Sequence, residues 1–188
     1  PWVVREALHN AIAHQDYLRQ ARVVVVEFPD RVLVTNVGDF LPGSVEKVIA
    51  QDAPQAMYRN PFLARAMVEL GLIETQGGGI KKMFETQRRR SFPLPDYDFS
   101  HASEVRVEIP GRILDERYTR RLLKQPQLSL AQVMLLDRVQ KGRRITREEH
   151  KGLKASKLVE GRYPNLMVSE VVARAAGDAA RHIRQRGF

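Results

Sequence analysis

Residues Arg5 to Tyr17 read REALHNAIAHQDY, and the rest of the chain is organised around this stretch. On a helix, its apolar residues would share one stripe at the 3, 4 and 7 spacing that buries a face. The members of that stripe are Val4, Ala7, Leu8, Ala11 and Ile12. The other side carries Glu6, Asn10, Ala13 and Tyr17, where a solvated face would usually carry lysine and arginine. Because residues i and i+4 are neighbours on a helix, the carboxylate and the carboxamide can reach one ligand.

Composition bounds the class of protein. The 188 residues fit one large domain or two small ones, and 43% of them are hydrophobic, enough to bury a core. No apolar run approaches the ~18 residues of a membrane span, and no signal-peptide pattern is present, so no membrane partner is expected. The absence of cysteine excludes disulfides and thiolate metal sites and favours a cytoplasmic protein. The chain starts at proline rather than methionine, which we interpret as an excised fragment.

Charge divides the chain unevenly. Residues 1–110 contain 13 basic and 14 acidic residues, whereas residues 111–188 contain 18 and 8. The first part thus has a net charge of −1 and the second +10, which together give the +9 of the whole chain. This asymmetry predicts two domains with different partners, and a basic module most often meets nucleic acid.

Short runs of residues predict the elements that follow the first helix. Residues 21–28 and 31–36 are β-branched strands joined by a tight hairpin at Pro29-Asp30. After a glycine-containing loop, Ser44 is expected to cap a short helix. Asn60 is expected to cap a helix over residues 62–70 that begins at a proline and buries its apolar residues. Residues 103–109 alternate like an edge or half-buried strand.

Three consecutive glycines precede another predicted helix. Gly77, Gly78 and Gly79 would expose backbone N–H groups at its positive end, which suits an anion such as a phosphate. The same glycines could instead serve a tight turn and close packing. The P-loop pattern GxxxxGK[ST] is absent, and no strand of a parallel βαβ unit leads into the triplet.

The order of these pieces resembles the ATP-binding domain shared by gyrase, Hsp90, histidine kinases and MutL, the GHKL superfamily. The resemblance covers about residues 1–110 and is strongest to RecG-related ATP-dependent DNA helicases and Schlafen/AlbA-type transcriptional regulators. The residues that carry it are Arg5-Glu6-Ala7-Leu8, Asn10-Ala11, His14-x-Asp16-Tyr17, Asn36-x-Gly38, Arg59-Asn60-Pro61 and Gly77-x-Gly79-Ile80.

The resemblance implies ATP and Mg²⁺ as cofactors and assigns roles to individual residues. Asn10 would coordinate Mg²⁺ through its amide oxygen, and Glu6 would activate water in members that hydrolyse ATP. Asn36 and Gly38 would contact the adenine, and the phosphates would meet Gly77, Gly78 and Gly79.

Two residues depart from the superfamily pattern. The adenine-reading aspartate is replaced by Asn36, which still offers a carbonyl oxygen to an amino group but without the charge. The second glycine of that motif is replaced by Phe40, which removes backbone freedom and fills space near the pocket. Adenine specificity is therefore less clearly implied than Mg²⁺-phosphate binding.

The second part of the chain resembles the winged helix-turn-helix that follows the ATPase-like fold in the same family. We expect a connecting helix or linker over residues 111–126 and a DNA-binding domain over residues 127–188. Capping signals at Ser129 and Thr146 start two helices, and residues 158–169 read as a basic hairpin. The resemblance is carried by Leu153, Leu158-Val159-Glu160-Gly161-Arg162 and Pro164-Asn165. The predicted double-stranded DNA contacts are Arg143, Arg144, Arg147, Lys151, Lys154, Lys157 and Arg162.

These observations predict an α+β chain, with a two-layer α/β sandwich of the GHKL ATPase type followed by the winged domain. One function is a DNA-binding transcriptional regulator that binds ATP and Mg²⁺. A second is an ATPase that acts on DNA or a protein, with Glu6 as general base. A third is a degenerate nucleotide-binding fold that serves packing or homodimerisation. A helicase motor is disfavoured because the P-loop and the acidic box of helicases are absent.

Overall fold

The structure, a computed structural model, describes residues 2–51, 58–73, 78–90, 92–112, 127–169 and 172. The chain divides into two compact units, Pro1–Arg112 and Ile113–Phe188. Within the described residues it is a mixed α+β protein. Two predictions lie wholly or mostly outside the described residues: the placement of Gly77 and the connecting helix over residues 111–126.

The first unit is built on a four-stranded antiparallel sheet in the order β1-β2-β4-β3. Its strands are β1 (Val24–Glu27), β2 (Arg31–Val37), β3 (Asp96–Asp98) and β4 (Glu104–Pro110). The predicted hairpin of β1 and β2 is confirmed. In the central pair, Val34 lies opposite Val107, and both side chains are buried because alternate residues of each strand face the same side.

The described residues of this unit form four α-helices: α1 (Trp2–His14), α2 (Val45–Gln51), α3 (Pro61–Glu69) and α4 (Gly79–Arg89). Helix α1 packs against β2 and β4, and α4 packs against α1 and α2. The core between them includes Ala7, Met83 and Phe84. At the far end of α4, the buried Gln87 amide donates to the carbonyl oxygen of Pro110 at 3.0 Å, which fixes the helix to the end of β4.

The first helix ends three residues earlier than its sequence predicts. It stops at His14, and Tyr17 begins a short 3₁₀ turn whose start is capped by the Asp16 carboxylate. Tyr17 is therefore not on the polar face of the helix but 48% exposed beyond it. Ala7 and Ala11 of the predicted stripe are buried, but the other three members are only half-buried. Val3 and Ala13 are buried in their place, although the sequence predicts Ala13 on the polar side. Alanines dominate the buried positions because the helix lies close to the sheet.

The prediction that the Asn60 side chain caps helix α3 is wrong. Helix α3 does begin at Pro61, but the Asn60 side chain makes no cap for it. The amide instead donates to the carbonyl oxygens of Ala13 at 3.0 Å and Gln15 at 2.8 Å, at the end of α1. The burial of α3 also differs, since Phe62 is 89% exposed and Leu70 is 74% exposed. Because the amide fixes the start of α3, these two apolar side chains face outward while Ala64 and Met67 face the core.

Two strand predictions need correction. Strand β4 is half-buried as predicted, but it is a central strand rather than an edge strand, with β2 on one side and β3 on the other. Strand β3 lies in a stretch that the prolines Pro93 and Pro95 mark as a loop. Three residues are too few to show a period, so pairing with β4 rather than local pattern makes this strand.

Gln15 ties the end of α1 to the sheet. Its side chain is fully buried; the amide donates to the carbonyl oxygen of Ala21 at 3.0 Å, and the amide oxygen accepts from the Val37 N–H at 2.9 Å. The Asp16 N–H then donates to the Val37 carbonyl oxygen at 2.8 Å. The ends of α1 and β2 are thereby held side by side.

In the second unit, the described residues form two helices and a hairpin. Helix α5 spans Leu130–Gln140, α6 spans Arg147–Ala155, and the antiparallel strands β5 and β6 span Val159–Arg162 and Asn165–Val168. The predicted cap at Ser129 and the predicted capping box at Thr146 are both confirmed, and Ser129 forms a capping box as well. The core includes buried apolar side chains from α5, α6 and β5, among them Leu136, Leu153 and Val159.

Replacing Gln15 with alanine should destabilise the first unit by about 2–4 kcal/mol. The change leaves the half-buried Val37 N–H and Ala21 carbonyl oxygen without this partner, at roughly 1–2 kcal/mol for each group. Trp2 is the one tryptophan of the chain and lies in α1, so its fluorescence during urea unfolding reports this unit. The control is Gln20→Ala, which removes an exposed side chain and should change stability by less than about 0.5 kcal/mol. Equal losses in the two variants would contradict the role assigned to Gln15.

Candidate functional site

A cleft lies between α1, the sheet and the start of α4. Its empty volume, counted to the open mouth, is about 480 Å³. Most of the lining is apolar, with a few polar groups, which is the usual composition of small-molecule sites. The lining includes Asn10, Asn36, Asp39, Phe40, Ile80 and Tyr97. Five sequence segments thus converge on one cavity.

Glu6 and Asn10 form a hydrogen-bonded pair on α1. The Asn10 amide donates to the backbone carbonyl oxygen of Glu6 at 2.9 Å and to Glu6 Oε1 at 3.2 Å. Because the amide nitrogen is used in this way, the Asn10 oxygen is the group left to accept from or coordinate a ligand. A hard cation such as Mg²⁺ prefers such an oxygen, so the chemistry of Asn10 fits the predicted metal site.

The Glu6 carboxylate lies directly against the first residue of α4. A Cβ added at Gly79 would collide with Glu6 Oε1 and would lie 3.0 Å from Glu6 Cδ. Gly78, which precedes it, has a φ of 81°, the left-handed conformation that glycine adopts without strain. The two glycines therefore let the chain start a helix in contact with an acidic side chain.

Of the two residues predicted to contact the adenine, only Asn36 lines the cleft. Asn36 is buried, lines the cleft and donates from its amide to the Val37 carbonyl oxygen at 3.3 Å. Gly38 does not line the cleft. Its φ is 126°, and its N–H donates to the backbone carbonyl oxygen of Ser103 at 2.8 Å. A Cβ at Gly38 would lie 3.0 Å from Arg59 Nε. Gly38 is thus a packing residue that makes room for Arg59.

Arg59 connects the end of α1 with the loop that follows β2. Its guanidinium lies 4.0 Å from the Asp16 carboxylate and donates to the Asp39 carbonyl oxygen at 3.0 Å. The guanidinium is thus paired within the protein, with the carboxylate at the end of α1 and with the loop after β2. The two contacts hold the loop after β2 against the end of α1.

Aromatic rings close the cleft on the side of β3. Phe40 stacks on Phe99 with ring centroids 4.8 Å apart and lies 6.0 Å from Tyr97. Tyr97 also stacks on Phe84 of α4 at 6.3 Å. Burial of the hydroxyl and, to a lesser degree, the negative charge of Glu6 raise the pKa of Tyr97 well above its usual value. Its phenol is therefore neutral at physiological pH.

The seven basic residues predicted to contact DNA are all exposed in the second unit. Arg147, Lys151 and Lys154 lie on α6 at positions i, i+4 and i+7, so they form one stripe. Around them, the loop before α6 carries Arg143 and Arg144, the turn after it carries Lys157, and β5 ends at Arg162. No distance in the structure tests whether this surface meets nucleic acid, so the role stays a prediction.

Residues 20–109 match the family model described as "Putative ATP-dependent DNA helicase recG C-terminal". The match supports an ATPase-like domain family for the first unit. It includes Asn36, Tyr97 and the glycines before α4, but it begins after α1. The roles of Glu6 and Asn10 therefore rest on their geometry beside the matched region.

Among solved structures, the chain resembles the crystal structure of the DIP2311 protein from Corynebacterium diphtheriae, a structural genomics target. The TM-score is 0.53 at 19% sequence identity, and the likeness covers 93% of this chain. At this identity the likeness concerns the fold alone. The chain spans 36% of the length of that protein. A search of curated proteins found no match.

Sequence reasoning missed two residues of the cleft. Tyr97 escaped because its strand has only three residues and follows two prolines. Asp39 follows Gly38 in the loop at the end of β2 and lines the cleft. An acidic residue inside a glycine loop at a strand end was the available signal.

None of the helices formed by the described residues is both long and apolar enough to cross a membrane. Nor do the His, Asp and Glu side chains of those residues gather into a cluster of three that would hold a metal ion. A metal at Asn10 would therefore take further ligands from phosphates or water, as Mg²⁺ commonly does.

The raised pKa of Tyr97 predicts a loss of stability at high pH. In the unfolded chain tyrosine ionises near pH ~10, whereas in the folded chain it holds its proton to higher pH. The contribution is therefore complete below pH ~10 and is lost as the pH rises towards the folded pKa. Urea unfolding followed by Trp2 fluorescence should show a smaller loss between pH 9 and 11 in Tyr97→Phe than in the parent. An identical loss in both would show that Tyr97 does not titrate as described, and Tyr17→Phe, which removes an exposed tyrosine, is the control.

Proposed function

We propose that this chain is a cytoplasmic, nucleotide-responsive regulator whose first unit binds ATP with Mg²⁺ and whose second unit binds duplex DNA. One observation carries the nucleotide part of the proposal. Asn10 of α1, Asn36 of β2 and Ile80 of α4, far apart in sequence, line one cleft beside a helix that begins with glycine. The family match over residues 20–109 supports the same interpretation.

The phosphate end of the cleft would be formed by α1 and the start of α4. The Asn10 amide oxygen would coordinate Mg²⁺, and Gly78 and Gly79 would present backbone N–H groups to the phosphates. Bound Mg²⁺ would supply positive charge that neutralises the phosphate oxygens. Among the described residues, a Cβ at Gly78 would meet no atom within 4 Å, whereas at Gly79 it would meet the Glu6 carboxylate.

The base end of the cleft offers hydrogen-bond acceptors. The Asn36 nitrogen is engaged by Val37, so its oxygen is the group that can accept from a base. Asp39 also lines the cleft. An acceptor at the base can accept from the amino group of adenine and equally from the N1–H and N2 amino groups of guanine, so these residues alone do not select the base. Phe40 and Tyr97 would supply aromatic surface beside the base.

A second function, ATP hydrolysis, is favoured by the contact between Glu6 and Asn10. A carboxylate next to the predicted Mg²⁺ ligand is placed to act as general base on water. Glu6→Gln separates the two functions. If the parent chain hydrolyses ATP and the variant binds ATP without turnover, the chain is an enzyme. A parent that binds ATP without hydrolysing it is a switch.

The DNA part of the proposal rests on the basic stripe of α6 and on the hairpin beside it. Helix, helix and hairpin follow in the order of a winged helix-turn-helix. The turn between β5 and β6 packs against α6: the centroid of the Tyr163 ring lies 5.9 Å from that of the His150 ring and 5.9 Å from the Arg147 guanidinium. The stripe and the wing can therefore meet one duplex, with α6 as the recognition helix.

Nucleotide binding should appear as stabilisation of the first unit. At a free ATP concentration about 100 times Kd with Mg²⁺, the free energy of unfolding should rise by about 2.7 kcal/mol. The same titration with GTP measures whether the site prefers adenine. Asn10→Ala should weaken Mg²⁺-ATP binding at least about tenfold while leaving Mg²⁺-free binding nearly unchanged. Calorimetric titration measures both values.

The control for this titration is Asn165→Ala, which removes an exposed asparagine of the second unit. If no nucleotide binds with or without Mg²⁺, the nucleotide-binding proposal fails. The first unit would then be a degenerate fold used for packing or dimerisation. A loss in Asn10→Ala that does not depend on Mg²⁺ would remove the assigned metal role alone.

DNA binding should weaken steeply with salt. Changing Arg147, Lys151 and Lys154 to glutamine should reduce the slope of log K against log salt by up to about 3, since each phosphate contact contributes roughly 0.9. Fluorescence anisotropy with a labelled duplex at several salt concentrations gives the slope. The control changes three exposed cations of the first unit, Arg22, Lys47 and Arg65, to glutamine. Equal effects of the two sets, or binding that ignores salt, would contradict a DNA surface on α6.

A further inference from the structure

The start of α4 is in contact with an acidic side chain from another helix. Glu6 Oε1 occupies the space that a Cβ at Gly79 would take. Gly79 is the first residue of α4, so the carboxylate lies where the unpaired N–H groups of the helix give a partial positive charge. A negative charge in this position is stabilised by the helix and satisfies the same electrostatic demand that a phosphate would.

The contact also connects with the cleft. The Asn10 amide, which donates to Glu6 Oε1, lines the cleft on α1, and Ile80, which follows Gly79, lines it on α4. A phosphate that approached the α4 start from this cleft would meet the Glu6 carboxylate at close range. Two negative charges at such a distance repel strongly outside bulk water. The helix end therefore cannot hold both without a compensating positive charge.

We propose that Glu6 is an internal anion that occupies the start of α4 and restricts phosphate binding until it is displaced or its charge is neutralised. The inference rests on the proposed nucleotide-binding function of the same cleft and adds its regulation. Nucleotide binding then depends on Mg²⁺ for a second reason besides coordination by Asn10, because the cation offsets the charge of Glu6. Glycine at position 79 is what permits this contact.

Titration of the full chain with ATP in excess chelator tests the proposal. Under these conditions Glu6→Gln should bind Mg²⁺-free ATP roughly 3- to 30-fold more tightly than the parent, the range expected for a charge at a helix start. Inorganic triphosphate should show the same gain, since the contact concerns phosphate and not the base. The matched control is Glu85→Gln, which removes an exposed carboxylate on α4 and should change the affinity by less than about twofold.

A second variant tests the contact itself. Gly79→Ala forces the carboxylate away from the helix start, because its Cβ would collide with Glu6 Oε1. The effect of Glu6→Gln should therefore be lost in the Gly79→Ala background, whatever the alanine alone does to phosphate binding. Gly152→Ala, where a Cβ would meet no neighbour, is the control for the glycine change. Trp2 fluorescence checks that the variants at Glu6 and Gly79 are folded, and circular dichroism checks the Gly152→Ala control in the second unit.

The outcomes separate this inference from the function on which it rests. If the parent binds Mg²⁺-ATP but Glu6→Gln gives no gain without Mg²⁺, the inference is overturned and the nucleotide-binding function stands. An equal gain in the parent and Gly79→Ala backgrounds also overturns it, because the effect would then not pass through the contact. If no variant binds ATP or triphosphate under any condition, both proposals fail.

Discussion

The end of α1 is the constraint on which the rest of the first unit depends. A helix leaves its last carbonyl groups without partners, and burying them unpaired would be costly. Here the Asn60 amide donates to the carbonyls of Ala13 and Gln15, and the Gln15 side chain joins the helix end to Val37. Because one junction satisfies groups from α1, β2 and the start of α3, these elements have a fixed relative position.

The cleft follows from that junction. Once α1 is fixed against the end of β2, Asn10 and Asn36 face the same space, and α4 closes it with Ile80. The packing that brings α4 close to α1 also brings Gly79 against Glu6, so the site is shaped by a contact between its own polar groups. In the second unit, capping boxes and a small apolar core hold the basic stripe of α6 on the outside.

The outcome at Asn60 shows why part of this structure could not be predicted. Asparagine before Pro61 is a good local signal for a helix cap, and the helix does begin there. The side chain nevertheless bonds to residues more than 40 positions away, because those buried carbonyls need a donor more than the exposed helix start does. Tyr97 is a similar case, since its strand exists through pairing with β4 and not through its own pattern.

The sequence by itself determined the hairpin of β1 and β2, the two capping boxes of the second unit and the pairing of Glu6 with Asn10 along one helix. Each depends on residues within a few positions of one another, whose spacing and propensities are written in the chain. Only the tertiary structure decided that Gly38 makes room for Arg59, that Asp39 and Tyr97 line the cleft, and that Glu6 lies against Gly79. These contacts join distant segments, and their geometry depends on how helices and sheet pack.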